Sequence, residues 1–309
     1  MVELGTLTRA AEHLGIAQPS LSQQVMDLEA HFKAKLLVRT KRGVTPTLAG
    51  ELLYRHAHII LRQLEQATTE LRAANTDLSG AVTVGLPGTI APVLSMPLLR
   101  QAREKYPGII LRIVEGSYVL MNELTVNGRL DLALSSGESV RGVKSEHLLT
   151  DELVLVSSRE LARDLPQGTV SIPELVGHPL VLPTRLGLGR SSVYEGFAQH
   201  GLTPTVVGEL ESAYEMISAA RESMGSLVIG WIAAVNLAPD LVVHRLNNPT
   251  IHRPIYLSEP EILPPTASLK AIRTLITDTV RGMVGRGEWP GAVTPAIAGP
   301  LAGPMTPER

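Results

Sequence analysis

An α/β chain with a helix-rich head is the fold class that this sequence predicts, on three observations. Residues 6–30 read as two short helices about a tight turn, and residues 45–78 as one long heptad-patterned helix. From residue 80 onward, short apolar strands alternate with helices.

In the head, Thr6 and Thr8 offer cap oxygens to a first helix, whose Leu7, Ala10, Ala11 and Leu14 form one buried stripe. Gly15 ends that helix where a left-handed cap is cheapest. Gln18-Pro19 restarts the chain, since proline fits a first helical turn. Leu21, Val25 and Leu28 make the inner stripe of the second helix. Gln23 and Met26 turn outward, flanked by Ser20, Ser22, Gln24 and Asp27. Short polar and amide side chains on an open helix face suit base edges in a major groove, where Gln pairs with adenine at two points. An ordinary helical hairpin with a solvated face shares this pattern.

The next residues separate the two. LLVRT and GVT read as short strands about Lys41-Arg42-Gly43, a hairpin wing beside the second helix. Between residues 33 and 62, Lys33, Lys35, Arg39, Lys41, Arg42, Arg55 and Arg62 face Glu51 as the one anion, in a chain of net charge −2. So concentrated a positive segment is the footprint of phosphate neutralisation. The candidate DNA-contacting residues on the second helix are Gln18, Pro19, Ser20, Ser22, Gln23 and Gln24. Thr8 and Arg9 join them from the first helix, and Arg39, Lys41, Arg42 and Thr45 from the wing.

Thr45 is the expected cap of the long helix. Its seam of Leu53, Ala57, Ile60, Leu64, Ala67, Leu71, Ala74 and Leu78 keeps 4–3 spacing. Such a seam pairs with a copy of itself or lies along its own domain. A two-fold dimer presents two second helices to successive grooves, which favours pairing.

AAEHLGIAQPSLSQQVMDLE and LLVRTKRGVTPTLAG resemble the winged helix–turn–helix of the LysR-type transcriptional regulators. RTKRGVTPT, HAHIILRQLEQA and PGTIAPVLSMPLLRQAR are most similar to the nitrogen assimilation regulator branch. The resemblance spans nearly the whole chain. It implies a promoter-binding regulator of nitrogen or related metabolic genes, working as a dimer or tetramer. RNA polymerase and a small anionic effector are further partners it suggests, although the branch resembles regulators controlled by their own abundance. Family members normally begin with more helix before the residues matching Val2–Gly5, so roughly two to three turns are expected to be missing here. A start codon placed too far downstream is the expected cause, with Leu7, Leu14 and Leu28 losing shelter. The alternative is a solute-binding or interaction module whose shortened head no longer grips DNA.

The expected division is a winged helix–turn–helix at 1–47, a linker helix at 48–79, a two-lobed effector domain at 80–288 and a disordered tail at 289–309. Ser79-Gly80 breaks the long helix. AVTVGL, a helix through Met96–Lys105, IILRIVEG, a helix near Met121–Asn127 and DLALSS make lobe one, about 80–150. ELVLVSS, PLVLP, TPTVVGEL and SLVIGW make lobe two, about 151–249, and HRPIYLSE with helix Ser268–Val284 returns to lobe one over 250–288. Largely parallel pairing is expected. The resemblance adds a two-lobed, periplasmic-binding-protein-like arrangement with a cleft. The tail is assigned on its Pro, Ala and Gly content.

In such sheets ligands sit beyond strand ends. Gly88 and Thr89, Ser117, Ser135 and Ser136, then Thr184 and Arg185 are the candidates, and their hydroxyls, amides and guanidinium suit a small anion. Any strand-to-helix loop contains similar residues. MGSLVIGWIAA replaces the Gly-rich turn usual in the branch and is expected to put Trp231 near the cleft.

Catalysis finds no support, and no cofactor or metal is expected. The chain has no cysteine, and His56 and His58 lie two apart on a helix and so diverge. No metalloprotease, nucleophile-elbow or phosphate-loop motif appears. Gly187-Leu188-Gly189 lacks the third glycine of a dinucleotide fingerprint. Asp131 and Asp151-Glu152 read as solvated strand-end carboxylates. A hydrophobic content of 44% with 19% charged residues is globular. With no secretory or membrane-spanning pattern, the expected location is cytoplasmic.

Overall fold

The computed structural model describes residues 1–40, 43–72, 78–136, 140–184, 188–262 and 265–295. The chain divides into two compact units, Met1–Thr68 and Thr69–Arg309.

The first unit opens with helices α1 (Leu7–Leu14) and α2 (Gln18–Phe32). Thr6 caps α1, its hydroxyl accepting from the Arg9 N–H at 3.3 Å, and Gly15 closes it at φ 65°. Leu7, Ala10, Ala11, Leu21 and Val25 are buried, together with Val44. The expected stripes break at their ends: Leu14 is 59% and Leu28 43% exposed. On α2 the inner row continues instead through Glu29, which is buried. Its position four residues after Val25 puts it inward, and three donors compensate the charge there.

Strands β1 (Leu37–Thr40) and β2 (Gly43–Pro46) form the antiparallel wing, with Thr40 opposite Gly43 and Lys41-Arg42 outside the described residues. Gly43 is at φ 133°, and a Cβ there would meet the Gly5 carbonyl oxygen at 2.4 Å. That closeness lets the Val44 N–H donate to Gly5 O at 2.7 Å. Helix α3 (Leu48–Arg72) follows. Its cap is Thr47, not Thr45: the Thr47 hydroxyl accepts from the Gly50 N–H at 3.0 Å, whereas Thr45 still pairs with Val38 in the wing. The ladder outcompetes an early cap because both strands satisfy their backbone groups there.

In the second unit, β3 (Gly80–Pro87), α4 (Ala91–Lys105), β4 (Ile109–Gly116), α5 (Tyr118–Val126) and β5 (Leu132–Ser135) build lobe one. Helix α4 starts five residues before the expected Met96, because Pro92 fits its first turn. The long β6 (Val143–Ser157) then leaves for lobe two, made of β7 (Thr169–Ser171), β8 (Pro179–Leu182), α6 (Leu188–Ala198), β9 (Thr205–Glu209), α7 (Ala213–Arg221), β10 (Ser226–Gly230), α8 (Trp231–Leu237) and β11 (Val242–Asn247). β12 (His252–Pro260) and α9 (Ala267–Gly285) return to lobe one. Among the described residues one mixed sheet runs β4-β3-β5-β12-β6-β10-β8-β9, with β11 also beside β6 and β7 beside β11. Pairing is parallel in β3–β4, β3–β5, β8–β9 and β8–β10 but antiparallel wherever β6 or β12 meets β5, β10 or β11. The departure from largely parallel pairing has one cause: β6 and β12 serve both lobes and run against each other.

The lobe-one core joins Val84, Leu86, Leu94 and Leu98 to Ile272, Ile276 and Val280 of α9. In lobe two, Val193 and Phe197 of α6 cover one sheet face, and Met216, Ile217 and Ala233 the other. The tail assignment needs correction. Trp289 is only 2% exposed, in the lobe-one core, and Val293 pairs with Thr150 through bonds of 2.8 and 2.9 Å. Burying an indole is worth roughly 4 kcal/mol, enough to order a Pro- and Gly-rich segment around it. Residues 296–309 lie outside the described residues.

Candidate nucleic-acid interface and effector cleft

On α2, Gln18, Pro19, Ser20, Gln23, Gln24 and Asp27 are exposed and Ser22 is half-buried. Thr8 and Arg9 are exposed on α1, and Thr45 and Arg39 on the wing. The wing is tied to α2 at two places. Arg39 Nη1 donates to Ser22 Oγ at 3.0 Å, which holds one expected phosphate-binding cation beside the outer face. At the wing's base, the Glu29 carboxylate accepts from Lys35 Nζ at 2.7 Å and from the Leu36 and Leu37 amides at 2.9 and 3.3 Å. Donation from Lys35 and then Leu36 pulls the Glu29 pKa from 4.5 to about 2. Sequence reasoning missed Glu29; the 21-25-29 spacing on the inner row was its signal. Lys35, counted with the phosphate-binding charge, is committed to this anchor. Gln23 Nε2 donates to Asp27 Oδ1 at 2.8 Å. Lys41 and Arg42 lie outside the described residues.

Along α3, Leu53 and Ala57 are half-buried, Ile59 is buried, and Ile60 and Leu64 are 63% and 64% exposed. The side chains of the seam positions Ala67 and Leu71 are outside the described residues, as is Ala74; Leu78 follows the helix.

A cavity of about 380 Å³ lies between the lobes of the second unit. Gly88 and Thr89 after β3 and Ser117 before α5 line it, as expected positions do in a strand-end cleft. Thr184 stands beside it, donating to Glu211 of the lining. Ser135 and Ser136 are not in the lining. Antiparallel β12 lies next to β5, so Ser135 Oγ meets Ser258 Oγ at 2.7 Å in the interior, and Ser136 is buried. Arg185 is outside the described residues. Trp231 also misses the cavity. Its ring lies under Arg245, 5.1 Å from the guanidinium carbon, and against the turn at Gly291.

The charged and aromatic lining residues, Glu115, Tyr118, Glu211, Glu215 and Arg253, were not expected. Arg253 is buried, stacks 5.0 Å from the Tyr118 ring centre, and donates through Nη2 to Asp151 Oδ2 at 2.7 Å. Trp289 Nε1 donates to the other Asp151 oxygen at 3.1 Å. Asp151 and Glu152 are therefore no solvated strand ends but buried mid-β6 carboxylates, the second held by Arg245 at 2.9 and 3.0 Å. Burial pushes the Asp151 carboxyl up, opposed by Arg253. Gly230 is required behind it, since a Cβ there would lie 2.1 Å from Asp151 Oδ2. Asp131 is engaged too, accepting from the Thr83 N–H at 2.7 Å. Among the described residues no group of three His, Asp or Glu side chains could hold a metal, and no helix is long and apolar enough to cross a membrane.

Comparison with known proteins agrees with both halves. The family model described as bacterial regulatory helix-turn-helix protein, lysR family, matches residues 1–51, and that of the LysR substrate binding domain matches residues 75–281. The chain is 38% identical to the nitrogen assimilation regulatory protein nac of Escherichia coli strain K12, covering 92% of this chain and 93% of that one. It is 41% identical to the protein of the same name from Klebsiella aerogenes, over 77% of each. A crystal structure of full-length CbnR with its target DNA superposes with a TM-score of 0.65, covering 91% of this chain and 95% of that one, at 21% identity, a likeness of fold. The chain belongs to the LysR family of bacterial helix–turn–helix transcription regulators.

Proposed function

We propose that this regulator reads promoter DNA with the outer face of α2 and holds the flanking phosphates with the wing. The observation that carries the reading is the row Ser20, Gln23 and Gln24, exposed on α2, with Arg39 fixed alongside through Ser22. Thr8, Arg9, Gln18, Pro19 and Thr45, all exposed, are read as further contacts, as are Lys41 and Arg42, which follow β1 in the sequence. The helix–turn–helix match over residues 1–51 favours this regulator over a binding module without a grip on DNA. The domains act as a DNA-binding head, a linker helix and a two-lobed effector unit. Self-association runs along the exposed α3 seam, giving a dimer or tetramer. Its setting is the cytoplasm, with nitrogen or related metabolic genes as targets, a reading supported by the two nac proteins. It performs no catalysis.

The cleft takes a small polar effector. Arg253 and the starts of α5 and α7 suit the carboxylate that the loops suggest, while Glu115, Glu211 and Glu215 add room for an amine. The effector therefore carries both groups.

Fluorescence anisotropy with promoter and random duplexes at two salt concentrations tests the DNA reading. Gln23→Ala costs roughly 1–3 kcal/mol on the specific site and spares random DNA. Arg42→Ala weakens both and lowers the salt slope by about one. Equal loss on both duplexes for Gln23→Ala, or an unchanged slope for Arg42→Ala, overturns the assigned role.

A further inference from the structure

The outer face of α2 carries one ordered contact that reading a base does not by itself require. Gln23 Nε2 donates to Asp27 Oδ1 at 2.8 Å, across one helical turn. Both side chains are exposed on the face proposed to enter the groove. An ionised carboxylate only accepts hydrogen bonds, and an amide offers oxygen on one side and NH2 on the other. The amide of Gln23 must therefore turn its NH2 toward Asp27; the reverse orientation would set two oxygens against each other. One N–H is spent on Asp27. With the N–H trans to Oε1 given to Asp27, the remaining N–H and Oε1 stand side by side, a donor next to an acceptor.

That edge has one good complement among the purines. Adenine shows the N7 acceptor beside the N6 donor in the major groove, whereas guanine shows two acceptors, N7 and O6. Against guanine, a pinned Gln23 would bring Oε1 up to O6. A freely rotating Gln can turn both N–H groups to guanine and escape that repulsion.

We propose that Asp27 is a specificity-determining positioning residue: it pins the Gln23 amide so that the regulator selects adenine over guanine at the base Gln23 reaches. This rests on the reading of α2 as the base-contacting helix. Asp27 touches no base itself. On a face that meets DNA its negative charge lowers overall affinity slightly while sharpening selection.

The test selects a randomised duplex library with the full chain and sequences what binds, for wild type, Gln23→Ala, Asp27→Ala and Asp27→Asn. An exposed i,i+4 pair contributes little to folding, and circular dichroism checks that the variants remain helical. Wild type enriches adenine at one position of each half-site, and Gln23→Ala loses that preference. Asp27→Ala binds as well as wild type or better, but its adenine-to-guanine ratio at that position falls about tenfold, within the discrimination expected of one bidentate pair. Asp27→Asn, which can present either an oxygen or an NH2, falls between. Loss of the preference in Gln23→Ala with an unchanged ratio in Asp27→Ala overturns the pinning role and leaves the base reading intact. A changed preference for cytosine at a neighbouring position also overturns it, because Asp27 would then read a base directly. If Gln23→Ala changes no position, the base-reading role of Gln23 fails and the proposal falls with it.

Discussion

Glu29 joins the second helix to the wing through three donors, and its chemistry makes the head's stability depend on pH. Its folded-state pKa, about 2 against an ordinary 4.5, means that the folded head prefers the carboxylate. The contribution is complete above pH 4.5 and is lost as the pH falls from 4.5 toward 2. Protection of the Leu36 amide against hydrogen exchange, relative to its intrinsic rate at each pH, should therefore fall over that acid range in wild type by more than it does in Glu29→Gln. Glu29→Ala leaves the buried Leu36 N–H unsatisfied and should cost about 1.5–3 kcal/mol of local stability. Exchange at Leu36 that is the same in all three proteins would refute the anchor. At this scale the sequence was legible where a contact is local, as for Gly15 and Thr6. It was not legible for Glu29 or Asp151, whose partners lie 7 and 102 residues away.

Among the elements, α3 displays a row that one chain leaves open. Ile59 points to the interior while Ile60 and Leu64 stand out to solvent. Two apolar side chains repeated at heptad spacing are a seam awaiting a partner, each worth about 1.5–3 kcal/mol when buried. Leu64→Glu should halve the mass seen by sedimentation equilibrium at low micromolar concentration, with helix content unchanged. A mass equal to that of wild type would place the self-association elsewhere. The helix itself was readable because a heptad is a local pattern, and the helix start was not. Thr45 and Thr47 are equally good caps by type, and the pairing of Thr45 with Val38 excludes the first.

At the scale of the whole molecule, β6 and β12 carry the chain between lobes, and the cavity lies where lobe-one groups face lobe-two groups. Arg253 and Ser117 come from the first, Glu211 and Glu215 from the second. A ligand with both charges, as proposed, would bridge them and stabilise the second unit by mass action, about 2.7 kcal/mol at a hundredfold excess over Kd. Thermal unfolding should shift upward with an α-amino acid but not with acetate or methylammonium at the same concentration, and Glu215→Gln should weaken the shift. An equal shift with acetate would show that the rim carboxylates take no part. A temperature unmoved by all three would remove charged small molecules of this class from the cleft.

The sequence by itself determined the helices of the head, its wing, the concentration of cations there, the long helix α3 and the strand–helix alternation beyond residue 80. Each is written in neighbours a few residues apart, where periodicity, caps and turns act. Tertiary structure alone decided which donors Glu29 holds, that Trp289 orders a segment composed like a loose tail, and that Ser135 turns into the core. It also placed Arg253, backed by Asp151, and three carboxylates around the cleft. Those outcomes depend on charges and apolar surface brought together from distant parts of the chain, and their energies exist only once water has been excluded between them.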